Sequence, residues 1–225
     1  MRKMVKKKKL KVFRLLLVIL ILGVIGFGID LYLNTKINNI TITGTNYLKD
    51  DYILKLADLE NYPSFYYTTS HKIIKKLKQS PYINKVTVKK GFYHTITINV
   101  VENKALLILS NNNYVLSNKQ EINLDTYKFR VPKLMNNVPS KKYNKLLIKL
   151  SDVNEDILGR ISEITYIPNE YDKDRFLLYM DDGNMVYLTL TKFEMINYYN
   201  DVLKQLGGRK GILYLDSGNH FKIVE

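Results

Sequence analysis

Leu15-Leu16-Leu17-Val18-Ile19-Leu20-Ile21-Leu22-Gly23-Val24-Ile25-Gly26-Phe27-Gly28-Ile29 runs without a single charge. Continued across Asp30 to Leu33, the apolar stretch reaches about 19 residues, which as a helix rising 1.5 Å per residue spans roughly 28 Å. That length matches the hydrocarbon core of a bilayer. Arg2, Lys3, Lys6, Lys7, Lys8, Lys9, Lys11 and Arg14 precede it and no acid does. Positive flanks stay in the cytoplasm, so the N-terminus is expected inside and residues from about Asn34 onward across the membrane. A cleavable signal peptide is the rival reading. No small-x-small cleavage site supports it, because Gly26-Phe27-Gly28 leads into Ile29 and the apolar character resumes at Leu31, Tyr32 and Leu33. The segment therefore reads as an uncleaved anchor over residues 15–33, behind a basic cytoplasmic tail over 1–14.

The formal net charge of +14 looks at first like a nucleic-acid signal. The tail holds eight of the 35 basic residues, leaving 27 against 21 acidic ones, an excess of only six. Spread over the outer part, that excess serves solubility, and nucleic acid is excluded as an expected partner. There is no cysteine, so no disulfide framework supports the outer part and its stability must come from packed cores. The length beyond the anchor suits two small domains.

The first outer domain, 34–103, reads as strand, helix, helix, strand, strand. Ile40-Thr41-Ile42-Thr43 alternates like a half-buried strand, and Gly44-Thr45-Asn46 turns the chain. Asp50 is the expected N-cap of a helix carrying Ile53, Leu56 and Ala57. Thr69 or Ser70 caps a second, whose stripe is Ile73, Ile74 and Leu77, and Ser80-Pro81 ends it. Val86 and Val88, then Ile96, Ile98 and Val100, alternate with polar residues on either side of Gly91, forming an antiparallel hairpin.

The second outer domain, 104–225, is richer in short strands: Leu106 to Leu109, Tyr114 to Leu116, a Val131-Pro132 segment, Ile161 to Tyr166, and a hairpin of Phe176 to Met180 with Met185 to Leu190 about Asp181-Asp182-Gly183-Asn184. Lys141 to Leu150 and Lys192 to Leu206 carry helical spacing, and Gly207-Gly208 stops the second of them. Ile212 to Leu215 forms a terminal strand. The fold class is thus α+β: one transmembrane helix, a β-α-α-β-β unit, and a β-rich domain with flanking helices.

Chemical apparatus is missing. His71, His94 and His220 stand singly without metal-ligand spacing, and no Ser-x-x-Lys, G-x-S-x-G, H-E-x-x-H or Walker motif occurs. Asp152, Asn154, Asp156 and Glu163 fall at ligand positions of a calcium loop, but its obligatory sixth-position glycine is Ile157. Gly207-Gly208-Arg209-Lys210-Gly211 follows a helix where a phosphate loop would open one. Tyr62, Tyr66 and Tyr67 read as loop aromatics packed on a small core, with a ligand platform as the other reading. No catalytic residue, metal ligand or cofactor-binding residue is assigned, and no cofactor is expected.

Ile40-x-Ile42-x-Gly44-Thr45-Asn46, Ser80-Pro81-Tyr82-Ile83-Asn84-Lys85-Val86 and Thr95-Ile96-Thr97-Ile98-Asn99-Val100-Val101-Glu102-Asn103-Lys104-Ala105 resemble the POTRA domain of the bacterial cell-division FtsQ/DivIB family. Gly211-Ile212-Leu213-Tyr214-Leu215-Asp216-Ser217-Gly218-Asn219-His220-Phe221 is similar to the ending of DivIB proteins, anchored by Gly211, Leu215, Gly218 and Phe221. Where many members carry Arg and Pro, this chain has Asn103 and Lys104.

The resemblance implies a non-enzymatic component of the division machinery at the septum. Its implied partners are FtsL-like and FtsB/DivIC-like single-span proteins, with the septal peptidoglycan synthase as a further one, and its role is to help control septal wall synthesis. The alternatives are a POTRA-bearing transport or secretion component and an anchored cell-wall enzyme. By that analogy the last strand, expected to be unpaired, offers its backbone to an incoming strand. Ile212, Leu213, Tyr214, Leu215 and Asp216 would form the partner edge, with Tyr187, Tyr198, Tyr199 and Phe221 beside it. For any single tyrosine, half-buried packing is the other reading. Leu213→Lys or Leu215→Lys is then expected to abolish binding in a folded domain.

Overall fold

The computed structural model describes residues 12–123 and 129–224. Residues 1–11, with seven of the eight tail cations, lie outside the described residues. Helix α1 (Val12–Leu33) contains a 20-residue stretch, Arg14–Leu33, long and apolar enough to cross a membrane, and none of it is buried in protein. Its apolar residues point all round the axis, as a lipid-facing helix requires.

Beyond it the chain forms two compact units. One comprises residues up to Gln79 together with Lys85–Val100, the other Ser80–Asn84 together with Val101 onward. The first contains β1 (Asn39–Thr43), α2 (Asp50–Leu56), α3 (Ser70–Leu77) and most of β2 (Ile83–Gly91) and β3 (Thr95–Glu102), the strands lying in the order β1-β3-β2. β1 runs parallel to β3, pairing Asn39 with Thr95 through to Thr43 with Asn99. Along β3, Ile96, Ile98 and Val100 are buried while Thr97 and Asn99 are exposed, so one face of the sheet enters the core. Ile53 and Ala57 near α2 and Ile73 and Leu77 of α3 are buried as well.

Gly44 turns the chain out of β1 at φ +81°, where a Cβ would lie 2.3 Å from the Val100 carbonyl oxygen. Only glycine fits there. Thr69 caps α3, its hydroxyl accepting from the Lys72 amide at 3.3 Å. Asp50 is not an N-cap. Lys49 holds that position without a side-chain bond, and Asp50 and Asp51 fall inside the first turn, where their charge suits the positive end of the helix dipole.

The second unit is organised by a nine-stranded sheet. Its strands are β4 (Ala105–Ile108), β5 (Tyr114–Leu116), β6 (Glu121–Ile122), β7 (Lys133–Leu134), β8 (Ile161–Tyr166), β9 (Arg175–Met180), β10 (Met185–Thr189), β11 (Gly211–Tyr214) and β12 (His220–Ile223). They lie in the order β12-β11-β10-β9-β8-β7-β4-β5-β6. Helices α4 (Ser140–Ser151), α5 (Glu155–Leu158) and α6 (Tyr199–Leu206) contribute Leu146, Leu147, Leu150, Ile157, Leu158 and Tyr199 to its main core. The strand expected at Val131-Pro132 falls instead on Lys133–Leu134, because Pro132 has no amide to give and serves only through its carbonyl, which accepts from the Ile108 amide at 2.8 Å.

The expected single helix over Lys192 to Leu206 is two elements, a 3-10 segment over Leu190–Tyr198 and then α6. The reason is the spacing of the buried side chains. Leu190, Phe193, Ile196 and Tyr199 recur every third residue, and after a kink at Lys192 (φ -117°, ψ 19°) a helix of three residues per turn aligns Phe193, Ile196 and Tyr199 along one edge. Gly207 then closes α6 in the left-handed conformation at φ +58°.

A further strand, β12, follows the one expected to be terminal. It pairs antiparallel with β11, joining Gly211 to Ile223, Ile212 to Lys222, Leu213 to Phe221 and Tyr214 to His220. Gly218 at φ +109° and Asn219 at φ +54° turn the chain between them. Glycine is required at Gly211, where a Cβ would lie 2.1 Å from the Lys222 carbonyl oxygen and 2.9 Å from the Phe221 ring.

Two outcomes are expected from this packing. Ile98→Ala removes a fully buried side chain of β3 and should destabilise the first unit by about 2–5 kcal/mol, read as lost hydrogen-exchange protection of the β3 amides. Gly211→Ala should cost about 1–3 kcal/mol by overpacking, with the β11 and β12 amides exchanging ahead of the rest of the sheet.

Candidate partner-binding edge

The β9–β10 hairpin turns at Asp181-Asp182-Gly183-Asn184, Gly183 taking φ +89°, and pairs Met185 with Tyr179 through to Thr189 with Arg175. β11 lies on the other side of β10 and runs parallel to it, with Met185 opposite Ile212, Val186 opposite Leu213 and Tyr187 opposite Tyr214. The Leu215 amide extends the ladder to the Tyr187 carbonyl at 2.8 Å.

A polar network holds the start of β11 in place. The side-chain oxygen of Asn184 accepts from the Gly211 amide at 2.8 Å, and its amide group donates to the Tyr199 hydroxyl at 3.0 Å. That hydroxyl donates to the Asp182 carboxylate at 2.9 Å, and Arg160 donates to Asp182 at 2.8 Å, to Asn200 at 2.6 Å and to Asp181 at 3.2 Å. Burial holds the Tyr199 phenol protonated well above its ordinary range. Every buried side-chain polar atom among the described residues has a hydrogen-bond partner.

Register also builds a stacked row across three strands. Tyr187 and Tyr214 stack at 5.1 Å with planes 14° apart, and Tyr214 and His220 at 4.7 Å and 8°. The Arg175 guanidinium sits 4.0 Å over the Tyr187 ring and pairs with Asp216 at 2.7 Å. Leu213, Leu215 and Phe221 belong to the opposite face and pack into the main core.

This placement sorts the residues expected at the edge. Tyr187, Ile212, Tyr214 and Asp216 are half-buried around the stacked row, and Tyr198 is 60% exposed. Leu213, Leu215 and Tyr199 are 4%, 5% and 2% exposed, so their side chains are core and cannot meet a partner. Leu213→Lys or Leu215→Lys would bury a charge and unfold the domain, contrary to the expectation. β11 is not unpaired either, since β12 covers its outer side.

The strand order ends at β12 on this side and at β6 on the other, and no strand lies beyond β12 among the described residues. The Val224 amide donates to the Lys210 carbonyl at 3.1 Å, and the Lys222 carbonyl points at Gly211, so even-numbered residues turn their backbone groups toward β11. Alternation then directs the amides and carbonyls of Phe221 and Ile223 outward. The signal for β12 was the pair Gly218-Asn219, a turn dipeptide followed by Phe221 and Ile223 on alternate positions. At the start of the second unit, buried Asn103 takes part in a junction also missed from sequence: its amide donates to the Tyr82 carbonyl and its side chain to the Pro81 carbonyl, each at 2.7 Å, and it accepts from Ser117 at 3.2 Å.

The family model "POTRA domain, FtsQ-type" matches residues 35–103 and "Cell division protein FtsQ/DivIB, C-terminal" matches 99–217. Cell division protein DivIB of Bacillus subtilis is 28% identical over 98% of this chain and 88% of that protein. Those of Brevibacillus brevis and Listeria monocytogenes are 29% and 26% identical over 91% and 96% of this chain and 80% and 84% of theirs. Among solved structures, the major extracytoplasmic domain of DivIB from Geobacillus stearothermophilus matches at 22% identity and a TM-score of 0.39, over 47% of this chain and 95% of that one. With the second family model covering more than half of the sequence, and both models named for the same proteins, the chain belongs to the FtsQ/DivIB family of bacterial cell-division proteins.

Proposed function

We propose that this protein is a non-enzymatic, single-pass scaffold of the division machinery, acting at the septum through FtsL-like and FtsB/DivIC-like single-span partners to help control septal peptidoglycan synthesis. Family membership supports the division role. α1 supplies the anchor, and the basic residues before it favour a cytoplasmic N-terminus. The domain limits proposed are 15–33 for the span, 34–103 for the POTRA domain and 104–225 for the β-rich domain.

One observation carries the mode of binding: β12 ends a nine-stranded sheet, and alternation turns the backbone groups of Phe221 and Ile223 away from β11. A partner strand added there gains a ladder of main-chain hydrogen bonds, and its side chains fall beside His220 and Lys222 on one face and Ile223 on the other. The partner edge is therefore β12, one strand beyond Ile212 to Asp216. Tyr187 and Tyr214 support it from the stacked row. Tethering both proteins in one membrane raises their effective concentration, so a short ladder suffices for association.

Two experiments test this reading. Ile223→Pro removes an outward amide and leaves the β11–β12 bonds in place. It should weaken binding to the outer segment of a DivIC-type partner by about tenfold or more, near 1.4 kcal/mol, with an unchanged melting temperature, while Ile223→Thr binds normally. Equal binding by the proline variant would refute the edge. Depletion of the protein should make cells filament, and normal division with and without cell-wall stress would refute the division role for this chain.

A further inference from the structure

We infer that the β2–β3 turn, carrying Phe92 and Tyr93, is a second membrane contact that dips into the headgroup layer of the outer leaflet beside α1. Phe92 is 90% exposed and Tyr93 86%, side by side on one turn. The backbone presents them at a cost, since Tyr93 and His94 both take left-handed φ values of +54° and +57° without being glycine.

Register places this turn at the membrane end of the first unit. β1 and β3 run parallel with Asn39 opposite Thr95, so the residues before Thr95 lie level with Asn38, five residues past the end of α1. Asn38 is bonded to the turn twice, its backbone amide donating to the His94 carbonyl at 3.0 Å and its side-chain amide to the Tyr93 carbonyl at 2.9 Å. On its other side the linker is held by the loop over 62–67: the Ile37 amide donates to the Pro63 carbonyl at 3.1 Å, the Phe65 amide to the Thr35 carbonyl at 2.9 Å, and the Ser64 hydroxyl to the Leu33 carbonyl.

Aromatic rings continue the chain of contacts into the helix itself. Tyr32, in the last turn of α1, lies 4.5 Å from Tyr66, and Tyr66 lies 5.7 Å from His94. A span of 20 residues covers about 30 Å, so Tyr32 and Leu33 sit at the outer boundary of the hydrocarbon. Asn38, a few residues beyond that boundary, is bonded directly to Tyr93 and His94, which brings the turn beside the headgroup layer, about 5–8 Å deep on each side.

The chemistry of the surface suits that layer. Tyr67 and Tyr62 add rings that are 54% and 41% exposed, and amphipathic aromatics concentrate at the membrane interface. Residues 34–39, 62–75 and 89–94 include Lys36, Lys72, Lys75, Lys89 and Lys90 and no Asp or Glu, which favours anionic headgroups. Lys90 turns inward, its ammonium 3.8 Å over the Phe65 ring and bonded to the Thr68 carbonyl at 3.0 Å, bracing the turn from beneath. Burial lowers its pKa from the ordinary lysine value. The contact gives the POTRA domain a fixed tilt against the lipid, where α1 alone would leave it a swivel.

The chain has no tryptophan, so a single indole reports depth directly. Phe92→Trp and, as a control, Tyr47→Trp at the opposite end of β1 are made in the full chain and reconstituted into phosphatidylcholine vesicles containing phosphatidylglycerol. The F92W fluorescence should be blue-shifted relative to Y47W and quenched at least twofold by lipids brominated near the headgroup, with Y47W unaffected. The inference rests on α1 crossing the bilayer, and flotation with the vesicles tests that separately. A chain that floats with F92W unquenched overturns the membrane contact, as a protein-binding turn would give, and a chain that does not float overturns the anchor with it.

Discussion

A strand laid parallel to its neighbour cannot be reached by a tight turn, and the pairing of β11 alongside β10 imposes that constraint on the whole C-terminal third of the protein. After β10 the chain must travel back along the sheet before it can enter β11. The helical crossover does this while burying one side chain every third residue, from Leu190 to Tyr199. A 3-10 segment is the geometry that matches such a spacing. It gives way to an α-helix at Tyr199, after which Val202 and Leu203 follow at spacings of three and four, and Gly207 and Gly208, both at positive φ, release the chain into β11. The close approach of Gly211 to β12 follows from the same arrangement.

The crossover is joined to the sheet by polar groups as well as by packing. Asn184 sits at the end of the hairpin turn and serves two elements at once, taking the Gly211 amide on its oxygen and giving a hydrogen bond to Tyr199. Each such bond contributes about 1 kcal/mol net, but losing one partner strands a buried group at a cost of about 1–3 kcal/mol. Arg160, Asp181, Asp182 and Asn200 extend the network outward to the surface. The position of β12 at the sheet's end thus depends on a network away from that strand. The anchors of the family resemblance have equally physical grounds: Gly44 and Gly211 face carbonyl oxygens too closely for any Cβ, Gly218 needs a positive φ, Leu215 is core, and Phe221 covers Gly211.

Local patterns carried much of the architecture. The apolar run that becomes α1, the alternation of Ile96, Ile98 and Val100, and the Asp-Gly hairpin were all readable, because each reports a single element facing a single environment. Errors arose where one element's conformation answers to another. Asp50 has the chemistry of a cap yet lies one residue inside the helix, since the chain enters α2 at Lys49. The crossover carried both a three-residue and a helical period, and only packing against the sheet decided between them. β12 is short and ends near the terminus, so its sequence alone did not show that it pairs. That one strand changes which groups are exposed, moving the proposed edge from Ile212–Asp216 to Phe221 and Ile223, and it leaves Leu213 and Leu215 as core.

The sequence by itself determined the apolar span and the α+β class, which follow from hydropathy and short-range spacing and need no partner to be read, while the family was legible only as a resemblance carried by the motifs around Gly44, Ser80-Pro81, Thr95 to Ala105 and Gly211 to Phe221. Tertiary structure decided what is exposed. Tyr199 is buried and Tyr198 beside it is exposed, because the crossover turns one toward Asn184 and the other to solvent. Phe92 and Tyr93 come beside the end of the span because β1 and β3 are parallel and in register, a relation between residues more than fifty positions apart. Hydrogen-bond pairing across such distances fixes which surface a residue reaches, and no local pattern contains it.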